Sequence, residues 1–262
     1  MMALNGHAAL ITGSTKGVGR AIAEALARAG ADVVLHGRRR SEEAEEAIKR
    51  CQAHGVNVSF VTGDLGGPTD QAVPEVVNAT LEAQPNLDIL VNNAGHHIDV
   101  PYEQMTIDRF ERTMRLNVQS GYFLTQAFAN HWIAQNTRGR VLFIGSINGR
   151  LGEVDSTAYD ISKGAIEMMV KTLCIALAPK GIRVNGLAPG LVYSQATAWL
   201  KDNPQKRDWI AYHTPNGQVP SADVCGGGAV YLVSDEAEHT HGHMLLVDGG
   251  MNAWQQPEPI ED

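Results

Sequence analysis

A phenol and an ammonium stand four residues apart in the run Tyr159-Asp160-Ile161-Ser162-Lys163. On a helix that spacing puts both side chains on one face, a turn from each other. A tyrosine with an ordinary pKa near ~10 is a poor base at neutral pH, but an adjacent cation favours its phenolate. Tyr159 and Lys163 thus have the composition of a proton-transfer group and its activator. Taken alone, the same pair is also what many amphipathic helix surfaces carry.

A second chemical signal lies near the N-terminus. Gly13, Ser14, Thr15, Lys16, Gly17, Val18 and Gly19 follow the apolar run AALIT directly and lead into an alanine-rich helix. Glycines permit a tight turn and let backbone N–H groups approach a pyrophosphate, while the helix N-terminus adds partial positive charge. The spacing is GxxxGxG rather than GxGxxG, and its position between a strand and a helix is what makes a dinucleotide the expected ligand. At the end of the second strand, where an NAD-type site carries a ribose-binding acid, the chain has Gly37 followed by Arg38. Asp32 lies at the other end of that strand. With no carboxylate there and Arg38 and Lys16 at hand, a 2′-phosphate is the expected guest, so NADP(H) is expected in preference to NAD(H). The alternative is a solvated arginine cluster opening the next helix.

These residues need a scaffold, and the rest of the chain supplies the pattern of one. Short β-branched or apolar runs near residues 8–12, 31–36, 57–62, 87–91, 139–144, 182–187 and 243–247 alternate with longer helical patterns. Ala21, Ile22, Ala25, Leu26 and Ala29 recur at helical spacing until Gly30 stops them, and a second helical stretch runs from Glu42 to His54 before Gly55. The fold class expected is α/β: a Rossmann-type doubly wound parallel sheet of about seven strands with helices on both faces. No linker or repeat divides residues 1–262, so a single domain is expected, ending in a polar tail, QQPEPIED. Between Gly190 and Val219 the rhythm breaks into a segment with Tyr193, Trp199, Pro204, Trp209, Tyr212, Pro215 and Gly217. A long irregular insertion in a compact domain is usually functional, and a substrate lid at about residues 190–219 is expected, with an oligomer contact as the alternative.

Composition excludes several classes. The 262 residues are 44% hydrophobic and 19% charged, as in ordinary globular chains. A formal charge of −8 argues against nucleic acid, and the short basic run Arg38-Arg39-Arg40 is followed at once by Glu42, Glu43, Glu45 and Glu46. No apolar run reaches membrane-spanning length and the N-terminus lacks the pattern of a secretory signal. Cys51, Cys174 and Cys225 are sparse, odd in number and without metal spacing, so a reducing, cytoplasmic setting is expected. His239, His241 and His243 alternate as if on one face of a strand, but with no carboxylate partner evident no metal is expected.

Thr12 to Gly19, the run Asn92-Asn93-Ala94-Gly95, Asn117, Ser146, Tyr159, Lys163 and Pro189-Gly190 occur in this order, followed by Val247-Asp248-Gly249-Gly250. Over nearly its whole length the chain resembles the short-chain dehydrogenase/reductase family. The resemblance implies an NADP-dependent oxidoreductase acting on a carbonyl or secondary alcohol, with Asn117, Ser146, Tyr159 and Lys163 as its catalytic set. Ser146 would hold the substrate oxygen beside Tyr159, the proton donor in reduction and acceptor in oxidation. Lys163 would bind the nicotinamide ribose and lower the tyrosine pKa, and Asn117 would hold a water connecting Lys163 to solvent. Asn92, Asn93, Ala94 and Gly95 would stabilise the sheet near the adenine ribose, Asp64 and Leu65 would meet the adenine, and Pro189, Gly190 and Val192 would seat the nicotinamide. The apolar face of Ala165, Ile166, Met169, Val170, Leu173 and Leu177 by itself reads as plain core, whereas the resemblance implies that this helix packs on its symmetry mate, giving a homotetramer or homodimer. Singly, each residue has a plainer role: Ser146 as a helix cap, Asn117 satisfying backbone groups, Pro189-Gly190 as a turn.

The departures bear on substrate. His96 and His97 follow the NNAG run, where relatives more often carry apolar residues, and they either contact substrate or bond locally. Asn148, Glu153 and Asp155 make the pocket between Ser146 and Tyr159 polar, which suits a sugar or polyol. A 3-oxoacyl-carrier-protein reductase is the alternative within the fold, needing a basic patch for which the lid offers Lys201, Lys206 and Arg207. A catalytically silent NADP-binding sensor or scaffold is the alternative outside catalysis.

Overall fold

In the computed structural model the apolar runs become one seven-stranded sheet in the order β3-β2-β1-β4-β5-β6-β7, every neighbouring pair parallel. The structure describes residues 3–193, 197–200 and 202–254, without the Trp199 side chain. Lys201, residues 194–196 of the expected lid and the tail QQPEPIED lie outside the described residues. The strands are β1 (Ala8–Ile11), β2 (Asp32–Gly37), β3 (Val58–Thr62), β4 (Ile89–Asn92), β5 (Arg140–Ile144), β6 (Arg183–Pro189) and β7 (Met244–Val247).

Strands buried on both faces read as continuous apolar runs, and alternation assigns each residue to a side. Ala9, Ile11, Val33, Leu35, Ile89 and Val91 face α1 (Gly17–Arg28), α2 (Glu42–Gln52) and α8 (Val224–Val233). Leu10, Val34, Leu90, Val141 and Phe143 face α3 (Thr69–Ala83), α5 (Ser120–Gln135) and α6 (Thr157–Leu177). Trp132 of α5, fully buried, also donates its indole N–H to the Leu87 carbonyl at 2.6 Å, so its one polar atom is satisfied. No described helix is long and apolar enough to cross a membrane.

The chain builds outward through β1, β2 and β3, then returns with β4 on the other side of β1. This reversal leaves a crevice at the carboxyl ends of β1 and β4, where such sheets bind ligands. A short α4 (Ile107–Met114), capped by the Thr106 hydroxyl, runs into α5 through a π-helical turn at Arg115–Gln119. π-bulges mark functional sites frequently, and this one carries Asn117. The last helix in this region, α7 (Pro204–Tyr212), stands over the carboxyl end of the sheet.

One expectation changes. His239, His241 and His243 do not share a strand face: they lie in the turns before β7, with His241 Nε2 against the Glu238 carbonyl at 3.1 Å and the His243 N–H donated to Asn185. The stripe Ile166, Met169, Val170 and Leu177 of α6 is core, packed on the sheet, while the apolar residues α6 exposes are Ile161, Met168 and Ile175.

Candidate active site

Gly13 and Gly17 adopt left-handed φ of 63° and 58°, a region where a Cβ is costly. At Gly19 the constraint is space: a Cβ would overlap Asn93 Nδ2 and the Gly13 carbonyl. Asn93 is the clamp of this loop, its amide donating to the carbonyls of Thr12 at 2.8 Å and Gly13 at 3.1 Å. The Thr12 hydroxyl accepts from the N–H groups of Asn93 and Ala94 at 3.0 and 2.9 Å. The turn after β1 is thereby tied to the end of β4 across the crevice.

His36, at the end of β2 and 2% exposed, completes the cradle. Its Nδ1 accepts from the Gly13 N–H at 3.1 Å and its Nε2 is 3.1 Å from the Gly63 carbonyl. A carbonyl only accepts, so Nε2 carries the proton, Nδ1 is the lone pair, and the ring is neutral. Burial pushes its pKa down to about 4, the Gly63 hydrogen bond opposing. The Ser14 hydroxyl accepts the His36 N–H at 3.0 Å, so Ser14 braces the loop and does not line the cleft.

A cleft of about 550 Å³ beyond this loop is lined by Thr15, Lys16, Arg38, Arg39, Ser41, Asp64, Leu65 and Ala94. Arg40 is held by Glu45, whereas Arg38 and Arg39 make no ion pair with the described residues. Gly37 has a steric reason as well as an electrostatic one: a Cβ there would lie 2.8 Å from the Thr15 methyl and 3.3 Å from the Phe60 ring.

The adjoining cleft, about 680 Å³, shares Gly13, Lys16 and Gly95 with the first and is lined by Gly17, Val18, Gly19, Ser146, Tyr159, Lys163, Pro189, Gly190 and Val192. Tyr159 and Lys163 come from the first turns of α6, Ser146 from just beyond β5. The Ser146 hydroxyl accepts the Asn148 N–H at 3.2 Å, capping a short 3₁₀ turn, donates to Asn148 Oδ1 at 3.3 Å, and lines the same cleft as Tyr159. Lys163 is 6% exposed, donates from Nζ to the Ile144 carbonyl at 2.9 Å, and stands 5.5 Å from the Tyr159 ring centroid. Burial pushes its ammonium down to about 8. Burial likewise pushes the Tyr159 phenol up to about 12, against the Ser146 hydrogen bond and with help from the Glu153 and Asp160 carboxylates. Desolvation dominates in the protein alone, and Tyr159 holds its proton at neutral pH.

Asn117 lies behind the cleft. Its Oδ1 accepts the His96 N–H at 2.9 Å, and its Nδ2 donates to the His96 carbonyl and the Ser162 hydroxyl at 3.0 Å each. Asn92 does not line the cleft: its amide donates to Thr125 of α5 at 2.9 Å, tying β4 to that helix, and alternation along β4 sends the neighbouring Asn93 to the cleft. Asn93 and, from the segment after β6, Trp209 line the clefts as members of the Asn92–Gly95 run and the expected lid, and Arg39 as a member of the basic run; His36, Ser41 and Ile210 line them too and were not singled out by spacing. For His36 the available signal was its place at the carboxyl end of β2.

The residues fit a nicotinamide dinucleotide. Side-chain-free glycines and exposed loop N–H groups meet a pyrophosphate, and the buried Lys163 ammonium, with one hydrogen bond among the described residues, has donors for a ribose diol. Arg38, Arg39, Lys16 and Ser41 offer charge and hydroxyl to a 2′-phosphate.

Comparison with known proteins agrees with this geometry. The family model described as enoyl-(acyl carrier protein) reductase matches residues 13–252. Gluconate 5-dehydrogenase of Gluconobacter oxydans (strain 621H) is 34% identical over 252 residues, 96% of each chain. L-rhamnose 1-dehydrogenase (NAD(P)(+)) of Sphingomonas sp. (strain SKA58) is 31% identical over 251 residues, 96% of this chain and 98% of the other. The crystal structure of a gluconate 5-dehydrogenase from Burkholderia cenocepacia J2315, in complex with NADP and tartrate, superposes with a TM-score of 0.88 at 33% identity, covering 97% and 98% of the two chains.

Proposed function

The chain belongs to the short-chain dehydrogenase/reductase family, and from that premise we propose that it moves a hydride between NADP(H) and a carbonyl or secondary alcohol of a sugar or polyol. The observation that carries this reading is the meeting of Ser146, Tyr159 and Lys163 on one wall of a cleft continuous with the glycine loop. When bound, the nicotinamide supplies or accepts the hydride. The protein's part is orientation and proton transfer. The Ser146 hydroxyl holds the substrate oxygen, and Tyr159 Oη gives it a proton in reduction or takes one in oxidation. Lys163 holds the ribose hydroxyls and, once charged beside the ring, favours the phenolate needed for oxidation. Asn117 fixes the loop at His96 and supports the α6 turn through Ser162, which is consistent with a role in holding water near Lys163.

Preference for NADP(H) is supported by Arg38, Arg39 and Lys16 around the outer cleft and by the absence of an acid at Gly37. The segment 190–219 is read as a lid because Val192, Lys206, Trp209 and Ile210 close one side of the inner cleft. Assembly into a homo-oligomer through α5 and α6 is supported by exposed Tyr122, Phe123, Ile161, Met168 and Ile175. A cytoplasmic setting accords with three free cysteines. The test is a turnover panel of aldoses, aldonates, polyols, simple ketones and 3-oxoacyl thioesters with both nicotinamide cofactors. Highest specificity for 3-oxoacyl thioesters, or for NAD(H), would overturn the corresponding part of the reading.

A further inference from the structure

At the outer edge of the inner cleft two loops converge beside Tyr159. The Val100 N–H donates to the Asp155 carbonyl at 2.7 Å, holding the segment after β4 against the segment before α6. From one comes His97, from the other Glu153 and Ser156. The His97 ring meets Tyr159 edge-on, centroids 4.6 Å apart and planes at 85°. Its Nε2 faces Ser156 Oγ at 2.9 Å, Asp99 Oδ1 at 3.2 Å and, at ion-pair distance, Glu153 Oε2 at 3.7 Å. Ser156 occupies the N-cap position of α6 yet does not cap it; 1% exposed, its hydroxyl points at Asp99 Oδ1 and Glu153 Oε2, at 2.9 and 3.1 Å.

This arrangement makes His97 Nε2 a donor toward carboxylates. Nδ1 has no hydrogen-bond partner among the described residues, and His97 lines the cleft. The ring is therefore held through one nitrogen, which leaves the other available to a ligand in the cleft.

Charge decides what that is. Asp99, Glu153 and Asp155 all line this end of the cleft, against His97 and, from α7, Lys206. Even a protonated His97 has its charge matched by the two carboxylates that hold it. We infer that His97, Asp99 and Glu153 select an uncharged polyhydroxylated substrate, an aldose or polyol, over an aldonate, with His97 Nδ1 bonding a substrate hydroxyl and the carboxylates repelling a carboxylate. The inference rests on the sugar reading above and narrows its substrate class, dividing the uncharged rhamnose-type from the anionic gluconate-type relatives.

The test measures kcat/KM for D-glucose, L-rhamnose, sorbitol and D-gluconate with NADP⁺ in the wild type, Asp99→Asn, Glu153→Gln and the double variant. Thermal denaturation and NADP⁺ affinity serve as checks on folding. The wild type is expected to favour its best neutral substrate by about 100-fold over gluconate, and the double variant to reduce that ratio by about tenfold, through KM for the anion, since partly exposed charges are screened. The single variants should fall between, and raising the salt concentration should narrow the wild-type ratio. A wild type that prefers gluconate, or a ratio unchanged in the folded double variant, would overturn the inference while leaving the sugar reading intact. No turnover of any of the four, with turnover of a simple ketone or 3-oxoacyl thioester, would remove the sugar reading and this inference with it.

Discussion

The neutral, buried His36 makes the phosphate cradle acid-sensitive by an amount that can be worked out. Its pKa falls from 6.5 to about 4 on folding. A depressed folded pKa means the unfolded chain takes the proton first, so the contribution is complete above pH 6.5 and is lost as pH falls toward 4. Between about pH 7.5 and about pH 5 that linkage amounts to about 2 kcal/mol for this one group. Carboxylates elsewhere also titrate, so the contrast must be with a variant that keeps the hydrogen bonds and cannot titrate. His36→Gln retains a donor for Gly63 and an acceptor for Gly13. Urea unfolding of both proteins at fixed concentration should show the wild type losing about 2 kcal/mol relative to the variant over that pH interval. A stability difference that stays constant with pH would refute the reasoning, because the imidazole would then not be held neutral by the fold.

Tyr159→Phe should lower kcat by about 10²–10⁴-fold with NADPH affinity unchanged, since it removes the transferable proton and keeps the ring; more than half of wild-type activity under chemistry-limited conditions would disprove the role. Arg38→Ala should weaken NADPH by about tenfold while leaving NADH nearly unaffected, a charge-assisted hydrogen bond discounted for its exposed setting. Equal losses for both cofactors in equilibrium titrations would contradict this. Gly19→Ala should cost about 1–3 kcal/mol of stability by forcing Asn93 and the Gly13 carbonyl apart, and weaken NADPH with it; an unchanged Tm would rule out the overlap. Because burial lowers Lys163 to about 8, kcat/KM for NADPH should fall above that pH as the ammonium is lost. A profile level to about pH 10 would mean that the ribose contact does not need the charge.

Much of this protein is readable from local rules. Strand and helix periods are set by backbone geometry alone, so the seven strands follow from the spacing of apolar residues to within a residue or two, as does the helix after β2. Tyr159 and Lys163 share a face because a helix repeats about every 3.6 residues, and the glycine loop declares its turn because only glycine tolerates φ of 63° and 58° cheaply. What depended on the tertiary structure was every balance between groups distant in sequence. Asn92 and Asn93 are equivalent as letters, and the end of β4 against Thr12 and Thr125 decides which one clamps the cradle. Spacing places a cation beside Tyr159, yet the desolvation that lifts the phenol to about 12 arises from the packing of whole elements around it. Of the carboxylates beside His97, Asp99 is its neighbour in the chain, but Glu153 belongs to a loop that meets it only when the segments after β4 and before α6 come together, since charge and hydrogen bonding act through space and not along the chain.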